Sequence, residues 1–353
     1  MIAEALARQH AVLDAEWREP AQIASQWREA VETAPELLES VHRGAFWDLL
    51  EELSITLLVT REYEHLVMAL RMTRTGPHRS FMRLPHPSGL AVDRRRGVVH
   101  VASTRNPNQV YDLSPVTAVL ERGDVRHDGL DERPLVPVRS HFLPGCLYLH
   151  DLALIGKTLH ANAVGQNAVV RLASTDRVSA RRPGHANFPV DRRGVLFSGA
   201  TREPVARNLT RPHSARLRGG RVWVDNSGYG ELGFARAGTF QPVARLPGWT
   251  RGLTFCGPVA FVGTSRVLPR FGLYAPGLDE SAAVCGVHAV EVDSGKVLGS
   301  LVWPRGNQVF GIECLPSAWC TGFPFVIGAR TGRDRIKRIF YAFGDCNAWE
   351  TRR

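Results

Sequence analysis

Two histidines and one arginine stand at the start of similar short apolar segments. His150 opens His150-Asp-Leu-Ala-Leu, His213 opens His213-Ser-Ala-Arg-Leu, and Arg251 opens Arg251-Gly-Leu-Thr-Phe. Imidazole exchanges protons near neutral pH, and guanidinium binds carboxylate or phosphate. We therefore predict His150, His213 and Arg251 as catalytic residues, acting as acid–base groups or as a clamp for an anion. For Arg251, a salt bridge to Asp225 or Glu231 is the alternative interpretation.

Ser88 holds the same position in the segment Ser88-Gly-Leu-Ala-Val. Polar loops that follow the next strand of several repeats carry further side chains suited to binding a ligand. If equivalent segments lie side by side, their first residues and these loops meet on one face of a rigid scaffold. The predicted ligand-binding residues are Ser88, Asn106, Asn167, Asp225, Tyr229 and Glu231.

His150 and His213 are also the best pair of candidate metal ligands. Two or three imidazoles, with or without a carboxylate, bind divalent transition metals. A divalent transition metal is therefore a candidate cofactor, with His150, His213, His185 and Glu313 as its predicted ligands. The alternative is that each histidine hydrogen-bonds a backbone carbonyl and closes the gap between neighbouring segments.

The segments that hold these residues repeat along the chain from about residue 53. Each repeat has a short apolar strand, a second strand such as Val98-Val-His-Val-Ala-Ser, and a polar loop that leads to a third strand. Repeated short strands with Gly and Pro turns are typical of all-β folds, and this spacing predicts a β-propeller of five or six blades, one of them irregular. Ser54-Ile-Thr-Leu-Leu-Val lacks a first strand and Phe310-Gly-Ile-Glu-Cys lacks a continuation. We therefore predict a propeller over residues 53–345, closed by strands from both of its ends.

Residues 1–52 have a different pattern, rich in Ala, Glu, Leu and Trp. Apolar residues recur at helical spacing up to Val31, and Thr33 followed by Pro35 is typical of a helix cap and first turn. These features predict a helical N-terminal extension over residues 1–52. Residues 346–353 are assigned to a C-terminal tail.

The charge of the chain points away from nucleic acid. The net charge is +10, but only Lys157, Lys296 and Lys337 are lysines among 44 basic residues, and the arginines are scattered. No apolar run reaches the length of a membrane helix, the N-terminus has no apolar signal segment, and the six cysteines form no Cys-x-x-Cys pair. We expect a cytoplasmic protein with reduced, mostly buried thiols and with neither a nucleic-acid nor a membrane partner.

Several of the repeated blocks are similar to signature blocks of the uncharacterised DUF4915 family. The resemblance covers roughly residues 45–315 and implies a propeller-like fold with six blades, but no established activity. One block that the family places between the His150 and His213 blocks is missing, which predicts the loss of about one blade. The blocks that carry the resemblance are Ser88-Gly-Leu-Ala-Val-Asp, Val101-Ala-Ser-Thr-Arg-Asn-Pro-Asn-Gln, Leu149-His-Asp-Leu-Ala, Arg211-Pro-His-Ser-Ala-Arg, Val224-Asp-Asn-Ser-Gly-Tyr-Gly-Glu and Pro247-Gly-Trp-Thr-Arg-Gly-Leu.

Two functions fit these patterns. The first is an enzyme with a His/Arg site at one mouth of the propeller channel, acting on a small polar or anionic substrate or on a peptide side chain, with or without a metal. The second is a non-catalytic propeller that binds a partner protein or a ligand on the same face. The sequence indicates neither the reaction type nor the oligomeric state.

Overall fold

The structure is a computed structural model. It describes residues 33–105, 108–119, 132–143, 147–166, 168–172, 190–328 and 342–343, and the single residues 4, 8 and 11. Strands dominate this part of the chain, beside one α-helix, α1 (Phe46–Glu52), and 3-10 turns at Pro35–Leu37, Val164–Gln166, Ser227–Tyr229 and Pro269–Tyr274.

The strands in chain order are β1 Val41–Gly44, β2 Ile55–Arg61, β3 Leu66–Thr73, β4 Gly76–Arg83, β5 Pro87–Asp93, β6 Val98–Ser103, β7 Asn108–Pro115, β8 Ala118–Val119, β9 Leu135–Leu143, β10 Leu149–Ile155, β11 Thr158–Ala163, β12 Ala168–Arg171, β13 Gly194–Phe197, β14 Pro204–Leu209, β15 Pro212–Arg218, β16 Arg221–Asn226, β17 Glu231–Arg236, β18 Thr239–Arg245, β19 Trp249–Cys256, β20 Val259–Ser265, β21 Cys285–Glu291, β22 Val297–Trp303, β23 Ile312–Pro316, β24 Phe325–Val326 and β25 Ala342–Phe343.

These strands form a β-propeller arrangement of five blades. Among the described residues, five antiparallel sheets have three to five strands each, and two further pairs of strands stand beside them. Within these five sheets most consecutive strands are joined by short turns, because apolar runs alternate with Gly, Pro, Asn and Asp. The predicted all-β propeller is confirmed, and the number of blades is five.

The described residues of 47–172 and 313–343 form one compact unit, here called the first unit. Its sheets have the strand orders β23-β2-β3-β4-β24, β5-β6-β7-β9, β10-β11-β12 and β25-β8. The first of these sheets therefore joins strands that lie far apart in the sequence. Leu58, Val101 and Phe323 belong to a buried apolar core of the first unit that more than one of its sheets shares.

The described residues of 33–46 and 190–312 form the second unit. Its sheets have the strand orders β15-β16-β17-β18, β1-β22-β21-β20-β19 and β13-β14. The pair β13-β14 follows the stretch where the family resemblance predicts a missing block. It packs on the β15–β18 sheet through Ala206, Leu209 and Val224, which form one buried cluster.

The stretch before α1 departs from the helical prediction. Ala34, not Thr33, precedes the 3-10 turn Pro35–Leu37, and no side chain caps it. Val41–Gly44 is a strand that pairs with β22 and extends that sheet by one strand. Tertiary pairing thus outweighs the local helical pattern here, whereas the extension before residue 33, apart from three single positions, and the tail 346–353 lie outside the described residues.

Side-chain hydroxyl groups tie neighbouring blades together within each unit. In the first unit, Thr60 Oγ1 donates to the Ser88 carbonyl at 2.5 Å and Ser88 Oγ donates to the Leu149 carbonyl at 2.7 Å. In the second unit, the Gly252 N–H donates to Ser214 Oγ at 2.7 Å. Ser214 in β15 thus holds the backbone of β19, a strand of the other large sheet of this unit. Such bonds give backbone groups of the first strands a hydrogen-bond partner outside their own sheet.

Four cysteines lie in the described residues, and none of these four is in a disulfide: Cys256, Cys285, Cys314 and Cys320. Cys256 is half-buried and the other three are buried, which agrees with the predicted burial of most thiols. Among the described residues, no helix is long and apolar enough to span a membrane.

Candidate functional site

The predicted first residues of the repeats lie at irregular points of four strands. Pairing with the second strand of the sheet is interrupted at Ser88 and Gly89, at His150, after His213 and at Arg251. Bulges and similar irregularities re-aim side chains and are frequent beside functional sites. The four predicted residues thus share a structural position, Ser88 and His150 in the first unit and His213 and Arg251 in the second.

In the first unit, Ser88 is fully buried and its hydroxyl holds the Leu149 carbonyl. His150 and Glu313 are half-buried. The ligand-binding role of Ser88 and the catalytic and metal-binding roles of His150 and Glu313 stay predictions. Three further predicted residues lie outside the described residues: Asn106, Asn167 and His185.

In the second unit, a chain of hydrogen bonds orients His213. The Ser227 hydroxyl donates to the Thr250 carbonyl at 2.6 Å, so the His213 Nδ1–H donates to Ser227 Oγ at 2.8 Å. This arrangement assigns the proton of the neutral imidazole to Nδ1. Asp225 is the cross-strand partner of His213 and is fully buried.

Arg251 stacks on an aromatic ring. Its guanidinium carbon lies 3.2 Å from the centre of the Phe310 ring, and 8% of the residue is exposed. A guanidinium over a ring face is held by both dispersion and the ring quadrupole. Arg251 therefore packs within the second unit, and its predicted role as an anion clamp stays a prediction.

A solvent-open cleft of about 330 Å³ lies in the second unit. Its lining residues fall between Arg192 and Phe240 in the sequence. Tyr229 and Glu231, both predicted to bind ligand, line it. None of the other lining residues is among the predicted ligand-binding residues. They lie just before β13, in β14, at the end of β16, and in β18 and the turn before it: Arg192, Arg207, Asn208, Asn226, Gly238, Thr239 and Phe240.

A network of hydrogen bonds fixes the polar wall of the cleft. Asn226 Oδ1 accepts from the Thr210 N–H at 2.7 Å, and Asn226 Nδ2 donates to Glu231 Oε2 at 2.8 Å. The Asp191 carboxylate accepts from the hydroxyls of Thr210, at 2.8 Å, and Tyr229, at 3.0 Å. Because each side chain is held by at least one bond, the wall is ordered before a ligand arrives.

Charged groups meet at this wall. The hydrogen bond from Thr210, followed by the one from Tyr229 and the charge of Arg192, lowers the pKa of Asp191. Contact with Tyr229 and the nearby Asp191 carboxylate raise the pKa of Arg192. Both groups are therefore ionised at neutral pH. The backbone of Arg192 and Asn208 has positive φ, 55° and 63°, a conformation that side-chain-bearing residues seldom adopt outside turns and functional sites.

The predicted metal centre is not assembled in the described part of the chain. Among those residues, no group of three or more His, Cys, Asp and Glu side chains is placed to hold a metal ion. The set that the sequence suggested includes His185, which lies outside them. A metal therefore stays a prediction.

Comparison with known proteins gives one family and weak structural likenesses. A family profile described as a domain of unknown function, DUF4915, matches residues 44–180 and 158–323, and no curated protein matches the chain. A nidogen/laminin complex is 12% identical, with 75% of this chain and 100% of that chain covered and a TM-score of 0.46. A protein of unknown function from Bacteroides caccae is 9% identical, with 74% and 99% covered and a TM-score of 0.36. A putative 6-phosphogluconolactonase from Bacteroides uniformis is 14% identical, with 73% and 68% covered and a TM-score of 0.28, so none of these likenesses assigns a function.

Proposed function

We infer that this chain, which belongs to the DUF4915 family, binds a small polar anion in the cleft of its second unit. This is the ligand class that the sequence predicts for a site on this scaffold. The observation that carries the proposal is the pair of arginines, Arg192 and Arg207, that line one cleft together with Tyr229 and Glu231.

Guanidinium groups favour an anion in such a cleft. Arginine presents several N–H donors in a fixed plane, which match the two oxygens of a carboxylate or the oxygens of a phosphate. The volume of about 330 Å³ lies at the lower end of small-molecule sites. A metabolite-sized ligand therefore fits the cleft better than an extended polymer.

The predicted catalytic residues relate to this cleft only indirectly. His150, His213 and Arg251 are not among the residues that line it. His213 is linked to it through Ser227, which lies in the same 3-10 turn as Tyr229. We keep their catalytic roles as a prediction and place ligand binding at the cleft.

Replacing both arginines is expected to weaken anion binding. The variant Arg192→Gln/Arg207→Gln should bind inorganic phosphate and citrate at least about tenfold more weakly, because a hydrogen bond to a charged group contributes roughly 1.5 kcal/mol or more. Isothermal titration calorimetry at low ionic strength measures the dissociation constants, since screening would weaken any contact with exposed charges.

The control is Arg95→Gln/Arg96→Gln, which removes the same charge from two exposed residues of the first unit. Its affinity for both anions should match that of the wild type. Equal weakening in the two double variants would show a general charge effect and contradict the proposal. A wild-type protein that binds neither anion would contradict it as well.

A further inference from the structure

Glu231 is an unexpected wall residue for an anion site. Its carboxylate lines the same cleft as Arg192 and Arg207. A carboxylate repels a plain anion bound a few ångströms away, and it attracts a ligand that carries a hydrogen-bond donor. Glu231 therefore indicates that the ligand carries a hydrogen-bond donor in addition to its anionic group.

Asn226 holds this carboxylate in place. Its Nδ2 group donates to Glu231 Oε2 at 2.8 Å, and its own Oδ1 is taken by the Thr210 N–H. Within the described residues, Glu231 Oε1 accepts no side-chain hydrogen bond. One oxygen of the carboxylate is thus fixed by the protein, and the other is left as a hydrogen-bond acceptor.

We propose that the ligand of this cleft is a hydroxylated organic anion, whose anionic group binds Arg192 and Arg207 and whose hydroxyl donates to Glu231. This inference rests on the proposed function and specifies it further. An ammonium group would also donate to Glu231, but two guanidinium groups in the same cleft repel a second cation. A neutral hydroxyl satisfies the carboxylate without that repulsion.

Glu231 is accordingly the residue that selects among anions. It disfavours an anion without a donor, whose approach leaves the carboxylate with a like charge beside it and no hydrogen bond in return. It favours an anion with a correctly placed hydroxyl, which replaces a water on Oε1. Selectivity here comes from repulsion of the wrong ligand as well as attraction of the right one.

Three probes of nearly equal size test the proposal: propionate, lactate and alanine. They share a three-carbon carboxylate and differ in carrying no donor, a hydroxyl or an ammonium group. Wild-type protein should bind lactate about tenfold more tightly than propionate, the effect of one hydrogen bond to a charged group, and more tightly than alanine. Ligand-observed NMR titration measures weak dissociation constants of this kind.

The variant Glu231→Gln should abolish the selectivity. Its amide oxygen takes over the bond from Asn226 Nδ2, so its NH₂ group faces the ligand and an acceptor becomes a donor. Propionate should then bind more tightly than it binds wild type, and the preference for lactate should vanish. The control Glu203→Gln changes an exposed glutamate of the second unit and should leave the ratio unchanged.

The possible failures can be told apart. If wild type binds propionate and lactate equally, the hydroxyl inference is overturned while anion binding stands. If alanine binds best, the ligand is an amino acid and the hydroxyl inference is also overturned. If none of the three probes binds and phosphate and citrate fail too, the proposed function itself is overturned. The wild-type ratio alone decides the matter should Glu231→Gln fail to fold.

Discussion

Replacing Gly89 with alanine is expected to lower the free energy of unfolding by about 3 kcal/mol or more, the upper range for an overpacked core. A Cβ atom at Gly89 would lie 2.5 Å from Asp151 Cα and 2.5 Å from the Leu152 nitrogen. These are backbone atoms of β10, the first strand of the next sheet in the first unit. They cannot turn aside as a flexible side chain does, so β5 and β10 must separate.

That separation would also stretch a bond on which both strands depend. Ser88, the neighbour of Gly89, donates its buried hydroxyl to the Leu149 carbonyl at 2.7 Å. Loss of this bond leaves a buried carbonyl unsatisfied, which adds to the cost of the steric clash. The thermal midpoint, followed by circular dichroism at a fixed heating rate, should fall by several degrees.

Gly199→Ala is the matched control. No heavy atom lies within 4 Å of a Cβ built at Gly199. Alanine there should leave the thermal midpoint unchanged or raise it slightly, because it restricts the unfolded chain. If Gly89→Ala were as stable as Gly199→Ala, the close approach of β5 and β10 would be wrong.

The role of Gly89 also shows what the sequence could predict about the fold. The repeated segments that begin at Ser88, His150, His213 and Arg251 coincide with β5, β10, β15 and β19. They were recognisable because a buried first strand must be apolar and must be bounded by turn residues. The bulges in these strands were not recognisable, since a bulge depends on the partner strand.

The candidate site likewise has residues that the sequence could predict and residues that it could not. Tyr229 lies in the loop after β16, a loop that repeats from blade to blade, and Glu231 begins β17 directly after it, so their position could be predicted. Arg192, Arg207 and Asn208 lie in or beside β13 and β14, where the repeat breaks down. Arginines scattered through a basic chain carry no signal of their own, and only the packing of β13-β14 on the β15–β18 sheet brings them to the cleft.

The N-terminal stretch marks a further limit. Val41–Gly44 has no strong strand pattern, and its neighbours favour helix. It forms β1 because β22 offers an unpaired edge. Edge pairing is decided by the tertiary structure, which local propensity does not encode.

Acid should destabilise the protein well before its carboxylates titrate. Burial, followed by the charge of Arg105, lowers the pKa of His65 to about 4, and burial lowers the pKa of His288 to about 4. Burial, the neighbouring His65 and Arg105 lower the pKa of His86 as well. All three rings are nearly inaccessible, and the rings of His65 and His86 lie 4.3 Å apart between their centres.

Stability falls with falling pH because the unfolded chain binds these protons at a higher pH than the folded protein does. An unfolded histidine takes up a proton near pH 6.5, whereas His65 and His288 in the folded protein do so only near pH 4. The contribution of these two histidines to the free energy of unfolding is therefore fully present above about pH 6.5. It falls as the pH drops towards 4 and levels off below that. With about 1.4 kcal/mol for each unit of pKa, each of these two histidines accounts for roughly 3 kcal/mol over this range.

A buried carboxylate adds to the loss at still lower pH. Burial alone would raise the pKa of Asp112, but hydrogen bonds from His100, Arg139 and His141 and the charge of His100 outweigh it and lower the pKa to about 2. His100 Nδ1 lies 2.6 Å from Asp112 Oδ1. The stabilisation from Asp112 is present above about pH 4, the ordinary range of an aspartate, and is lost towards pH 2.

Thermal midpoints measured in steps from pH 7.5 to pH 4 should therefore show a steep fall that begins near pH 6.5. His288→Gln should flatten the fall even though it lowers stability at pH 7.5, where His288 is held by the Thr264 and Ser300 hydroxyls at 2.9 Å and 2.8 Å. His65→Gln should flatten it as well, while His42→Gln, at an exposed position of β1, should leave the pH dependence of the wild type intact. A wild-type midpoint that stays constant down to pH 4.5 would contradict this prediction. It would mean that these imidazoles take up protons in the folded protein as readily as in the unfolded chain, despite their burial.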